Sequence, residues 1–261
     1  MDYESYYLRK APSFDALRLD RAEEIGILGA ALQQHLPSSA RILDVGCGTG
    51  RYGAWFVKRG HTVTGVDVSA AQLTHAHGLS STVHASITAL PFPDSTFDAC
   101  LMSMMVHQIP QADRPRGLAE CFRVLQPGAC LLLKTAGHDD LAKRQLAQWF
   151  PSALRINLER YPSIPMIVTL MHAARFQVES IEPTHTTVAL PRDEYIEAIR
   201  RQHNTTLAAL PPSEFAAGVQ LLERDAAGWP PTVTHHHWHT VILARRPQVV
   251  GQRRELPPRG A

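Results

Sequence analysis

"RILDVGCGTGRYG", residues 41–53, decides how the chain folds. A strand-like run, 41–45, passes directly into glycines and then into the helix-like run "RYGAWFVKR" at 51–59. A strand that ends in glycines and opens a helix brings backbone N–H groups close to a ligand. A Cβ in that turn would block the approach, and some of its positions need φ > 0. Two glycine patterns overlap here. Gly46-x-Gly48-x-Gly50 is one, and Gly48-x-Gly50-x-x-Gly53 matches a dinucleotide fingerprint that specifies little when it stands alone.

Outward from this loop, strand-like and helix-like runs alternate. "HTVTGVD" (61–67), "STVHA" (81–85), "FDACLMS" (97–103) and "ACLLLKT" (129–135) read as strands. "SAAQLTHAH" (69–77) reads as a helix capped by Ser69 and stopped by Gly78. "DRPRGLAECFRVLQPG" (113–128) reads as another, with Asp113 as N-cap, Pro115 in the first turn, and Leu118, Phe122 and Leu125 on one face. An amphipathic helix is expected over 14–36, before the first strand. "DDLAKRQLAQWF" (139–150) and "IPMIVTLMHAARF" (164–176) read as helices, and "FQVESIEPTHTTV" (176–188) as a strand or two. Two helical stretches are expected over 190–228, and "TVTHHHWHTVILARR" (232–246) closes as a long strand. The expectation is an α/β fold: a Rossmann-like, doubly wound, seven-stranded sheet, mostly parallel with an antiparallel last strand. One domain spans 1–244, with an N-terminal helical cap (1–36) and a helical lid inserted at 186–232. Residues 245–261, rich in Arg and Pro, read as a disordered basic tail.

Composition narrows the function classes. With 261 residues and 44% apolar content, the chain can bury one sizeable core. Its net charge is +2, and five Arg lie in the tail, so no basic groove for nucleic acid is indicated. The N-terminus "MDYESYYLRK" has no apolar stretch of a signal peptide, and the longest nearly apolar run, 99–106, is too short to span a bilayer. Cys47, Cys100, Cys121 and Cys130 form no C-x-x-C and read as buried hydrophobes of a reducing, cytoplasmic compartment.

Asp67 ends the second strand-like run, 17 residues after Gly50, where a carboxylate can accept from the ribose hydroxyls of an adenosine ligand. To this point NAD and S-adenosylmethionine fit equally. Three features separate them. Asp44 lies inside the motif, where a carboxylate aimed at the loop suits an ammonium or sulfonium and repels a pyrophosphate. "LPFPDSTFDACLMS" (90–103) follows the third strand, and "FRVLQPGACLLLKT" (122–135) leads into the fifth. With "ILDVGCGTG" and "VDVS", this order of motifs resembles the class I S-adenosylmethionine-dependent methyltransferases, in the family that includes ubiquinone/menaquinone-type and small-molecule methyltransferases. The resemblance covers about residues 14–135.

It implies roles for matching positions. Asp44, Gly46, Gly48 and Gly50 would line the methionine moiety of the cofactor, Asp67 would hold the ribose, and Val68 would lie beneath the adenine. The family's acid after the third strand is replaced by Ser86, so the adenine would meet the Ser86 hydroxyl or the Ile87 N–H. Met102 and Ser103 would give backbone contacts at the end of the fourth strand, followed by Met104. Arg18, in "FDALR", would reach the cofactor carboxylate. His107 stands where the family often has a histidine pair beside the methyl group. It is either a general base for an acceptor hydroxyl or amine, or a ring that shapes the site.

"THHHWHT" (234–240) is the stretch least like the family. On a strand, His235, His237 and His239 face one way, and H-x-H is compatible with zinc, but no partnering cluster is evident and no metal is expected. A polar lining of an acceptor pocket, or a half-exposed strand end, are the other readings. Tyr195, Arg200, Arg201 and His203 are pocket candidates in the inserted lid, and Tyr3, Tyr6 and Tyr7 form a second possible lid. The expected function is methyl transfer from S-adenosylmethionine to an oxygen or nitrogen of a small molecule. A carbon acceptor such as a quinone-like ring, or cofactor binding without turnover, are the alternatives. The expected partners are the small-molecule acceptor and, in a homodimer, a second copy of the chain, without nucleic acid or membrane.

Overall fold

The computed structural model describes Tyr6 and residues 22–248. Arg18, Tyr3, Tyr7 and most of the predicted tail lie outside the described residues. The sheet has seven strands in the order β3-β2-β1-β4-β5-β7-β6. They are β1 (Arg41–Val45), β2 (Thr62–Asp67), β3 (Ser81–His84), β4 (Phe97–Ser103), β5 (Leu125–Thr135), β6 (Gln177–Pro191) and β7 (Thr232–Arg245). β1 pairs in parallel with β2 and β4, and β7 runs antiparallel to β5 and β6. The order reverses between β1 and β4. Loops leaving these two strands therefore turn to opposite faces and open a crevice at their C-terminal ends.

Side-chain alternation covers the sheet on both faces. Leu43, Cys100 and Leu131 belong to a buried cluster with Leu118 and Cys121 of α4 (Arg114–Val124) and Ile167 and Met171 of α7 (Ile164–Ala173). Their neighbours Ile42, Leu101 and Leu132 point the other way. They pack with Leu28 and Leu32 of α1 (Ala22–Gln33) and Phe56 of α2 (Arg51–Val57). All four cysteines are buried and free.

Several boundaries differ from those expected. α3 is only Ala70–Leu73, though Ser69 caps it as predicted, its Oγ accepting the Gln72 N–H at 3.3 Å. Asp113 stands at the N-cap of α4 without a side-chain cap bond. The chain enters β5 at Leu125, directly after α4, because Leu125 already pairs with Phe97. The stretch 139–150 breaks into α5 (His138–Ala142) and a 3₁₀ turn, Gln145–Gln148, before α6 (Ser152–Arg160). Three helices, not two, join β6 to β7: α8 (Arg192–Arg200), α9 (Thr205–Ala208) and α10 (Pro212–Ala226).

β6 and β7 outrun the sheet. Pairing with β5 ends at Thr135 and Thr240, whereas the β6–β7 ladder continues from Thr184 and His239 to Pro191 and Thr232. This two-stranded ribbon rises beyond the C-terminal ends of the parallel strands. It carries α8–α10, which share their own core of Val188, Leu190, Tyr195, Ile199 and Leu222.

Candidate active site

A cavity of about 900 Å³ lies between the C-terminal ends of β1, β2 and β4 on one side and the ribbon with its helices on the other. The glycine loop forms its floor. Gly46 and Cys47 donate to the Val66 carbonyl at 2.7 and 3.1 Å, which docks the turn on β2. Asp67 then organises the exposed side of the loop. Its Oδ2 accepts the Gly48 N–H and its Oδ1 the Ser69 N–H, both at 2.8 Å. Burial pushes the Asp67 carboxyl above its usual range, and the N–H groups of Ser69 and Gly48 pull it back. Gly46, Gly48 and Gly50 all have positive φ. A Cβ on Gly46 would stand 2.8 Å from Met105, whereas one on Gly48 would meet nothing nearer than 3.5 Å, so the wall at Gly48 is open to a ligand.

The expected cofactor contacts divide into two groups. Gly46, Gly48, Asp67, Val68, Ser86, Ile87 and Ser103 lie on the cavity wall. The Ser86 hydroxyl is 2.9 Å from that of Thr88 and also accepts the Thr88 N–H. Asp44, Gly50 and Met102 are not on the wall. Met102 is buried in the sheet core. Gly50 caps α2 and packs against the His77 carbonyl. Asp44 corrects the electrostatic expectation. Its carboxylate turns beneath α2, where Oδ2 accepts the Gly53 N–H at 3.1 Å. Burial raises its pKa to about 7, so it is no fixed negative charge aimed at the ligand.

His107 is buried in a 3₁₀ turn, Val106–Gln108, and stacks on Tyr161 with ring centroids 3.9 Å apart. The Gln108 Oε1 accepts from Arg160 at 3.2 Å, which turns its Nε2 toward the His107 Nε2 at 2.9 Å. That nitrogen is thereby held as an acceptor by Gln108, which suits a ring that shapes the cavity better than a free base.

The opposite wall comes from residues that sequence reading left open. The five residues 235–239 all line the cavity; His239 is buried, His236 is exposed and the other three are half-buried, so the strand end is a half-exposed wall. His235 and His237 have ring centroids 4.5 Å apart, and His185 stacks on Trp238 at 3.6 Å. Burial, then neighbouring cations, holds the His235 pKa down to about 3, so this ring stays neutral. Among the described residues, no group of three or more His, Cys, Asp or Glu is placed to hold a metal ion. Tyr6, Tyr195 and His203 line the cavity, whereas Arg200 and Arg201 point away and pair with Glu223 and Glu197. Lys143 and Arg144 also reach the wall. The Lys143 Nζ is 4.6 Å from the Trp238 ring centroid and the Arg144 guanidinium 5.7 Å from that of Tyr161. Neither pairs with a carboxylate among the described residues.

Residues 43–133 match the family model described as a methyltransferase domain. Over these residues the chain carries a methyltransferase domain. Malonyl-[acyl-carrier protein] O-methyltransferase of Erwinia pyrifoliae is 36% identical over 148 residues, which is 53% of this chain and 54% of that protein. The chain spans about half the length of the curated relatives it matches. In fold it is similar to a putative methyltransferase from an antibiotic biosynthesis pathway of Anabaena variabilis. The TM-score is 0.69 at 18% identity, covering 87% of this chain and 98% of that one. It is also similar to the 1,6-didemethyltoxoflavin-N1-methyltransferase of Burkholderia thailandensis, solved with bound 1,6-didemethyltoxoflavin and S-adenosylhomocysteine. That match has a TM-score of 0.57 at 18% identity and covers 94% of this chain and 88% of that one.

The walls of the methyltransferase domain fit S-adenosylmethionine, the cofactor of this family. The Ser103 Oγ, at the end of β4, is buried and has no hydrogen-bond partner among the described residues. A buried polar atom of this kind is costly unless a ligand meets it. Gly48 leaves a cradle beside the Asp67 carboxylate, whose remaining lone pairs suit hydroxyl donors.

Asp44 gives the methyltransferase domain a pH signature. Its carboxyl is near 3.8 when unfolded and about 7 when folded. A raised folded-state pKa favours the protonated native form, so this contribution is full below about pH 4 and is lost as pH climbs through 7. Between pH 5.5 and 8.5 the wild type should lose about 2 kcal/mol from this site, and Asp44→Asn should not. Urea unfolding at the two pH values measures the difference, and parallel pH profiles for the two proteins would contradict it.

Proposed function

We propose that the chain transfers a methyl group from S-adenosylmethionine to the oxygen of a carboxylate on a small or carrier-linked acceptor. The observation that supports this reading most directly is the pair of cations, Lys143 and Arg144, on the acceptor side of the cavity without carboxylate partners. A guanidinium and an ammonium over aromatic rings offer an anionic group a charged, partly desolvated seat. The similar O-methyltransferases are named for a malonyl group, which ends in a carboxylate.

When bound, S-adenosylmethionine supplies an electrophilic methyl group on a sulfonium. Asp67 and Gly48 would hold its ribose, Ser86 and Ile87 its adenine, and Gly46 with Ser103 the methionine side. A carboxylate is already ionised at neutral pH and needs no base. This agrees with a His107 whose Nε2 is engaged by Gln108. His107 and Tyr161 would instead fix the approach of the acceptor, and the ribbon with α8–α10 would act as a lid that excludes water. Four free buried cysteines suit a reducing, cytoplasmic setting.

The test is incubation with S-adenosylmethionine and a panel of carboxylic acids, both free and as thioesters, with amines and phenols alongside. Mass spectrometry should find methyl esters. Arg144→Ala should raise the acceptor KM about tenfold while leaving S-adenosylhomocysteine affinity unchanged. Methylation confined to amines or phenols would overturn the acceptor class, and cofactor binding without any product would mark a binding protein.

A further inference from the structure

We propose that Gln72 is a ribose-recognition residue, whose side-chain amide complements the carboxylate of Asp67. The inference rests on the cofactor assignment above and adds a residue to it. Gln72 is 2% exposed, on α3, and lies at the cavity wall beside the glycine loop. Its backbone N–H is satisfied by the Ser69 hydroxyl at 3.3 Å and the Ser69 carbonyl at 3.1 Å, which pins the turn that aims the side chain. The side chain itself is not satisfied. Both Nε2 and Oε1 are buried without a hydrogen-bond partner.

An amide in that state costs the empty protein stability, and an apolar side chain of the same size would fill the site at lower cost. Packing therefore does not account for glutamine here. A polar ligand does. The Oε1 lies 3.5 Å from where a Gly48 Cβ would stand, and the Gly48 N–H is held by the Asp67 Oδ2 at 2.8 Å. The amide and the carboxylate thus converge on one glycine. An ionised carboxylate only accepts hydrogen bonds, whereas each ribose hydroxyl both donates and accepts. With Asp67 taking the hydroxyl protons, the hydroxyl lone pairs need a donor. The Gln72 Nε2 is the donor, and the broad terminal torsion of glutamine lets the amide turn to the cavity face.

The test uses the near-isosteric Gln72→Met in the full chain. Two probes are titrated by calorimetry: S-adenosylhomocysteine, and 5′-methylthioadenosine, which keeps the ribose and adenine but lacks the amino-acid arm. The variant should bind both about tenfold more weakly, by the same factor. Without ligand it should melt about 2–4 °C higher than the wild type, since a buried unmet amide is gone. A purely structural glutamine would give the opposite, a lower melting temperature with affinity kept, and either of these two results overturns the inference. A loss confined to S-adenosylhomocysteine would move the contact to the amino-acid arm and overturn the ribose assignment. A wild type that binds neither probe would instead bring down the cofactor assignment itself.

Discussion

Asp67→Ala should weaken S-adenosylhomocysteine binding by about 100-fold, because on the proposed cofactor assignment it removes an ionised acceptor from two hydroxyl donors at once. The carboxylate already accepts the Gly48 and Ser69 N–H groups at 2.8 Å each, and these bonds hold the anion against the burial that would neutralise it. Asparagine is no substitute, since its amide N–H₂ would face one of those two N–H donors. Asp67→Asn should therefore lose nearly as much affinity as Asp67→Ala. The fold should survive both changes, because the two N–H groups border the cavity and water can take the place of the carboxylate. Calorimetric titration gives the affinity, and melting of the ligand-free protein separates binding from folding. A dissociation constant within about threefold of wild type would remove Asp67 from the ribose. Because burial raises the Asp67 pKa, affinity should also fall as the pH drops through it, where the protonated carboxyl accepts less.

What could be read without coordinates was what is local in the chain. The β1–glycine–α2 turn is set by consecutive residues, and so is Asp67 at the end of β2. The strand bounds 41–45 and 97–103 agree with the expected runs, because alternating apolar residues there face two different cores. The direction of Asp44 was not legible. It depends on which way β1 presents that residue to α2, and the Gly53 N–H that donates to it lies 9 residues along the chain. The histidine run was visible, but its place was not. Whether residues 235–239 edge the sheet or wall a cavity depends on β7 outrunning β5, which only the register with Thr135 reveals. Tyr161, Lys143 and Arg144 reach the site through turns after α5 and α6 that leave no periodic trace. Gln72 lies within the predicted helix 69–77, and a glutamine on the buried side of a short helix is itself a signal. Lys134 gave a stronger one: a single charge inside the apolar run "ACLLLKT".

That lysine leads to the second large effect. Lys134 is 2% exposed at the end of β5, and its Nζ meets the Oε1 of Glu24 on α1 and donates to the Tyr52 hydroxyl at 3.2 Å. The His239 Nδ1 stands 3.4 Å from the same Glu24 oxygen. Glu24, Tyr52 and His239 line the cavity, so this network ties α1, α2 and the ribbon together behind the site. Two buried charges bring little net stability as a pair, because their desolvation offsets most of their attraction. One charge alone is another matter. Lys134→Met strands the Glu24 carboxylate and should destabilise the protein by about 3 kcal/mol, read from urea unfolding. Glu24→Leu should do the same by taking the counter-charge from an ammonium that keeps the Tyr52 hydroxyl. The double variant should recover most of either loss, since two apolar side chains of similar volume suit the same space. The sign of the coupling is the decisive quantity. Losses that simply add in the double variant would show that the two charges do not depend on each other, and the hold of α1 on the sheet would then rest on its apolar face, including Leu28 and Leu32.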